Sequence, residues 1–281
     1  MCRHPDGRRP GDLRQQADRI DKRGSGESQQ QLGRYKDAVR WKAAQAGGME
    51  STEAWIREGI CLRALGRPDE AEAVYRRILR MNSTDLGARI ELARTSDDRR
   101  DWPESEARWR ALVEDANLPS LFAGHARVLI ELGRFDEADT VLAPGLAMFP
   151  TDLEIGIARS HVAERRGDLT AACERWAELL RVQPYFVAGY AERAKCLVNA
   201  ERHAEADAVM RDAIERFPNE EWPLFEFANL AHRRQDWQEA ASRWEAFRVR
   251  FPDRDEGYRY GRDALNAAGR HEEAAALRPN A

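Results

Sequence analysis

The chain is written in phrases of one length. An alanine returns at Ala38, Ala71, Ala138, Ala172, Ala206, Ala240 and Ala274, with Ser105 filling the single gap, at steps of 33, 34, 33, 34, 34, 34 and 34 residues. Such regularity constrains architecture before any single residue is read. Each phrase must be one supersecondary unit, and successive units must bury their apolar faces against each other. In a chain of 281 residues this leaves room for about seven and a half units in one array.

The surroundings of the alanine define the unit. A glycine precedes it in Gly33-Arg-Tyr-Lys-Asp-Ala38, Gly66-Arg-Pro-Asp-Glu-Ala71, Gly133-Arg-Phe-Asp-Glu-Ala138, Gly167-Asp-Leu-Thr-Ala-Ala172 and Gly269-Arg-His-Glu-Glu-Ala274. Glycine ends one helix where positive φ is needed, and the acids crowd the first turn of the next helix and complement its dipole. A large residue follows the turn: Tyr35, Trp102, Phe135, Leu169, Trp237. Bulky apolar residues stand four positions after the alanine (Tyr75, Trp109, Leu142, Trp176, Met210, Trp244) and again three later (Ile78, Leu112, Leu179, Phe247). That spacing marks one helical face. Pro150, Pro184, Pro218 and Pro252 then stop the helix. Upstream lies a second amphipathic helix with a small residue at a matched place: Gly59, Ala93, Ala126, Ser160, Ala194, Ala228. The unit is an αα-hairpin whose helices approach closely at that residue.

These features together resemble the tetratricopeptide repeat (TPR) family, of the bacterial type, from about Gly33 to Leu277. The resemblance implies an all-α fold, a right-handed α-solenoid (superhelix) of about seven and a half helix-turn-helix repeats. The expected boundaries are a basic, disordered or frayed segment over 1–29 and a solenoid over 30–281. Its repeats fall near 30–51, 52–85, 86–118, 119–152, 153–186, 187–220, 221–254 and 255–281. Departures occur at Gly145 (a large residue is usual), Arg262 (a small one is usual), and Glu201 and Gln235 (glycine is usual).

Composition narrows the function. A charged fraction of 33% and a mean hydropathy of −0.72 suit a thin stack with much exposed surface, and a net charge of −4 provides no global field for nucleic acid. Charge is uneven: residues 1–25 hold seven Lys/Arg and four Asp, a local +3 that leaves −7 for the rest. No apolar run approaches membrane-spanning length and no signal-like segment opens the sequence, so a cytoplasmic location is expected. Cys2, Cys61, Cys173 and Cys196 lack metal or redox spacing, and the last three fall in helices as small core residues. No phosphate loop, nucleophile elbow, H-E-x-x-H or C-x-x-C occurs, so neither catalysis nor a cofactor is expected. His203 and His271 fill the turn position that other repeats give to a large residue.

In the TPR family the first helices of successive repeats line a concave groove. The residue after each small position reads Ile60, Arg94, Arg127, His161, Lys195, Asn229, Asp263, with Arg63, Arg165, His232 and Arg233 nearby and Asp97 and Glu164 as acids. The candidate partner-binding residues are Arg94, Arg127, His161, Lys195, Arg233 and Asn229, with Trp222 and Phe225 as apolar anchors. Such a column favours an acidic protein or peptide, because guanidinium groups clasp carboxylates. The same residues also fit solvated charge, or arginines each paired with a Glu on the next repeat, and the two aromatics also fit the core of their own unit. The asparagines of the chaperone-tail clamp and of the O-glycosyltransferase ladder are missing. The expected function is a non-catalytic protein–protein scaffold or adaptor. The alternative is an accessory subunit of a glycosyltransferase- or sulfotransferase-type enzyme in bacterial envelope polysaccharide synthesis, which phrases such as Arg243-Trp-Glu-Ala-Phe-Arg-Val-Arg-Phe-Pro252 resemble. The last unit stops soon after Ala274, so it either frays or docks on another chain or a second copy.

Overall fold

The computed structural model describes residues 51–278. The segment 1–29, the first expected repeat up to residue 50 (with Gly33, Tyr35 and Ala38) and residues 279–281 lie outside the described residues. Within them the chain forms fourteen helices and no strand. They are α1 (Thr52–Ala64), α2 (Pro68–Met81), α3 (Leu86–Arg99), α4 (Trp102–Asp115), α5 (Pro119–Glu131), α6 (Phe135–Met148), α7 (Leu153–Arg166), α8 (Leu169–Val182), α9 (Val187–Asn199), α10 (His203–Arg216), α11 (Trp222–Arg233), α12 (Trp237–Arg250), α13 (Asp255–Ala267) and α14 (His271–Ala276).

The helices group into two compact units, one ending at Arg134 and one beginning at Phe135. In the first, α1 and α2 form a hairpin, α2 packs on α3, α3 and α4 form the next hairpin, and α4 packs on α5. In the second, α6 packs on α7, and the hairpins α7/α8, α9/α10, α11/α12 and α13/α14 follow, each touching the next. Both units are all-α stacks of helical hairpins, as the 34-residue phrase requires.

Local chemistry fixes the helix ends. Aspartates cap the helices: Asp85 accepts from the Ala88 amide at 2.8 Å, Asp152 from Ile155 at 3.0 Å, and Asp168 from Ala171 at 3.0 Å. Each such cap contributes about 1 kcal/mol. Between consecutive helices the backbone turns through positive φ at Gly66, Gly133, Gly167 and Gly269. Where the sequence lacks glycine the turn persists: Arg100, Glu201 and Gln235 adopt φ of 58°, 59° and 60°. The cost is about 1 kcal/mol each, and packing of the flanking helices outweighs it.

The small-residue positions are contact points. A Cβ on Gly124 would lie 2.5 Å from the Trp109 ring, and one on Gly59 would collide with the Tyr75 ring. The repeating alanines Ala71, Ala138, Ala172, Ala206 and Ala240, and Ser105 in their place, are fully buried. Tyr75, Trp109, Trp176, Met210 and Trp244 fill the space they leave. Gly145 is buried within α6, whereas Arg262 is exposed and donates to the Leu277 carbonyl at 2.9 Å. Through that bond and the packing of Leu277 on the α11–α14 core, the last described turn folds back on its own repeat.

Candidate functional site

The faces formed by α3, α5, α7, α9 and α11 carry the residues that the sequence selects. Their arrangement follows from the tryptophans of the second helices. Trp109 Nε1 donates to Asp97 Oδ1 at 3.2 Å, Trp176 Nε1 to Glu164 Oε1 at 2.7 Å, and Trp244 Nε1 to His232 Nδ1 at 3.3 Å. In each case the acceptor stands twelve residues before the tryptophan. A buried indole N–H needs such a partner, so these acceptors are tied to the core.

The basic column then pairs with acids. Arg127 Nη2 reaches Asp97 Oδ2 at 2.5 Å, and the Ser105 hydroxyl donates to the same carboxylate. Arg94 pairs with Glu91 at 3.0 Å, His161 with Glu164 at 3.2 Å and Lys195 with Glu192 at 3.0 Å, while Asn229 donates to Glu226 at 3.3 Å. Burial pulls the Glu164 carboxyl upward, but the bonds from His161 and Trp176 outweigh it and hold it below the usual carboxylate range. The Glu192 hydrogen bond holds Lys195 above the ordinary lysine value. Each of these positions is thus partly neutralised.

Arg233 differs. It is exposed and forms no ion pair or hydrogen bond with any described residue. It stands near enough to Lys195 for the two cations to repel. Together with Glu226 and Asn199 they edge a cleft of about 50 Å³ between α9, α10 and α11. Its apolar lining is Ala191, Ala194, Val198, Met210 and Leu230. The second unit therefore brings Lys195 and Arg233 together, whereas Arg94 and Arg127 belong to the first unit.

Trp222 and Phe225 are half-buried. Trp222 packs on the Phe217 ring at 6.0 Å, and Phe225 meets Trp244 edge-on at 5.3 Å, Phe247 at 5.9 Å and Tyr260 at 6.1 Å. Trp222 thus packs on the preceding hairpin, whereas Phe225 packs on α12 of its own hairpin and on Tyr260 of the next.

Sequence reasoning missed a second arginine system. Glu72 on α2 takes Arg99 and Arg108; Asp139 on α6 takes Arg166 at 2.8 Å and Arg175 at 2.9 Å; Asp207 on α10 takes Arg234 at 3.2 Å and Arg243 at 2.7 Å. The arginines stand 27 and 36 residues after their acid in all three cases. Arg108, Arg175 and Arg243 also donate to the carbonyls of Leu92, Arg159 and Phe227 at 2.7, 2.6 and 2.9 Å. Each clamp ties one hairpin's second helix to both helices of the next. The acids recur every two phrases, and this doubled period was the signal in the sequence. Much of the chain's arginine is therefore mortar between hairpins.

A family model for the tetratricopeptide repeat matches residues 52–95, which is α1, α2 and most of α3. Over those residues the chain carries the tetratricopeptide repeat. No curated protein matches it. Among solved structures, a TPR protein from Parabacteroides merdae is similar at 13% identity and a TM-score of 0.54, over 91% of this chain and 98% of its own. The C-terminal part of a TPR repeat-containing protein from Cytophaga hutchinsonii is similar at 14% identity and a TM-score of 0.55, over 81% and 94%. The APC/C hetero-tetramer Cut9–Hcn1 gives 13% identity and a TM-score of 0.56 over 83% of this chain. There the TPR chain described here spans about half of its relative, 46%. At these identities the likeness is one of fold, the α-solenoid type. No helix among the described residues is long and apolar enough to cross a membrane.

Proposed function

We propose that this TPR protein is a non-catalytic adaptor that holds an acidic peptide segment of a partner protein on the inner helices of its second unit. The observation that carries the reading is the cleft where Lys195 and Arg233 stand over an apolar floor of Val198, Met210 and Leu230. A guanidinium with no partner among the described residues, beside an ammonium, offers forked and point-charge donors to one carboxylate, and the floor accepts a small apolar neighbour. Arg94, Arg127 and His161 act in this reading as secondary contacts, because a ligand carboxylate must compete there with Glu91, Asp97 or Glu164. Asn229 contributes by restraining Glu226, and Trp222 and Phe225 stiffen the hairpin rather than anchor the partner. We read the compartment as cytoplasmic, from the free thiols Cys173 and Cys196 kept in the core.

The test uses a fluorescent peptide of alternating Glu and Leu, and its Gln–Leu counterpart, in anisotropy titrations. The Glu peptide binds the wild-type chain at low salt, weakens as salt shortens the screening length to about 10 Å at 0.1 M, and binds a Lys195→Ala/Arg233→Ala variant at least tenfold more weakly. Equal binding of both peptides, or equal binding by both proteins, refutes the reading.

A further inference from the structure

Two cysteines that the sequence keeps 23 residues apart meet in the second unit. Cys173 on α8 and Cys196 on α9 place their sulfurs 2.9 Å apart. Both side chains are buried, at 3% and 2% exposure, among Ala172, Trp176, Leu197 and Ala206. The Cys196 thiol donates to the Leu169 carbonyl at 3.6 Å. In the same column of the stack the neighbouring repeats carry acids, Asp139 and Asp207, each clamped by two arginines. The α8–α9 junction has no such clamp. There the thiol pair occupies the place of the acid.

We propose that Cys173 and Cys196 form a built-in dithiol that a hydroperoxide converts to a disulfide, stapling the α7/α8 hairpin to the α9/α10 hairpin. One thiolate attacks the peroxide oxygen, giving a sulfenic acid and hydroxide or alkoxide. The second sulfur then attacks the sulfenic sulfur and expels water. The sum is two thiols plus one hydroperoxide giving one disulfide, one water and one alcohol (a second water for hydrogen peroxide), a two-electron oxidation of the protein. The sulfurs must close by less than about 1 Å to reach the disulfide bond length of roughly 2.05 Å, a shift within the reach of side-chain rotation. The apolar surroundings set the pace. Burial pushes the Cys196 thiol well above its ordinary value, so thiolate is scarce in the closed fold. Oxidation is accordingly slow and limited by opening of the α8–α9 junction, and the bond is shielded from reductants once formed.

The experiment treats a full-length Cys2→Ser/Cys61→Ser chain with hydrogen peroxide at 25 °C and again a few degrees below its melting midpoint. Circular dichroism before treatment confirms that it is folded. Non-reducing tryptic mass spectrometry then follows the peptides spanning 167–175 and 196–202, which carry the two cysteines. The expected result is a 167–175/196–202 cross-link that dithiothreitol removes, with a melting midpoint about 5 °C or more above that of the reduced chain. A further Cys173→Ser change abolishes the cross-link and the shift. The proposal is overturned if both peptides remain separate at both temperatures, whether as thiols or as sulfinic or sulfonic acids, or if they join only between chains.

Discussion

Truncating Asp207 to alanine removes the centre of one hairpin clamp. The carboxylate is 8% exposed and is gripped by four guanidinium contacts: Arg243 at 2.9 and 2.7 Å, and Arg234 at 3.2 Å to each oxygen. Removing one partner of a buried pair costs about 3–5 kcal/mol, chiefly through the charge left behind. Arg243, 7% exposed, keeps Glu239 at 2.7 Å, the Phe227 carbonyl at 2.9 Å and the Phe227 ring at 3.7 Å. Those remaining partners set the expected loss for Asp207→Ala near the lower end, about 3 kcal/mol. Arg243→Met loses a similar amount, because Asp207 then depends on Arg234 alone. The double variant has no orphaned buried charge from the pair, so the two losses fall short of additivity by at least about 1.5 kcal/mol. Hairpin stacks need not unfold in one step, so the assay is native-state hydrogen exchange on α10 and α12, supported by urea unfolding. A loss below about 1 kcal/mol for Asp207→Ala, or additive single effects, would refute the clamp as a buried, coupled unit.

Two further outcomes follow from the same geometry. Burial pulls the Glu72 carboxyl upward, but hydrogen bonds from Arg99 and Arg76 and the charges of Arg99 and Arg108 outweigh it and hold it at about 2. A depressed folded value means that its stabilisation is complete above the unfolded value of about 4.3 and is lost as pH falls towards about 2. Acid unfolding of the first unit should therefore steepen across that window, and Glu72→Gln should flatten it; an unchanged acid profile in the variant would count against the assignment. Gln235 holds φ of 60°, so Gln235→Gly should stabilise α11/α12 by about 0.5–1 kcal/mol despite glycine's chain entropy, read as a higher urea midpoint; a lower midpoint would mean that the turn is unstrained.

The sequence by itself determined the hairpin. Its alanine period, the small residue Gly59 that meets Tyr75, and the acids at helix starts are all nearest-neighbour requirements, and the pattern recurs along the chain. The pairings Arg94–Glu91 and Lys195–Glu192 were equally legible, since residues three apart share a helical face. The turns at Arg100, Glu201 and Gln235 could not be read from propensity, because packing of the flanking helices overrides the preference for glycine. Only the tertiary structure decided which arginines are mortar and which stand on the surface. Arg127 reaches Asp97 30 residues away, Arg243 reaches Asp207 36 residues away, and the sulfurs of Cys173 and Cys196 meet across 23. Among the described residues, Arg233 alone of the selected cations has no ion-pair or hydrogen-bond partner. The reason is physical. A repeat fixes the fold inside each unit through contacts close in sequence, whereas the fate of a long charged side chain depends on what the next hairpin sets within a few ångströms of its tip, and the repeat period does not specify that.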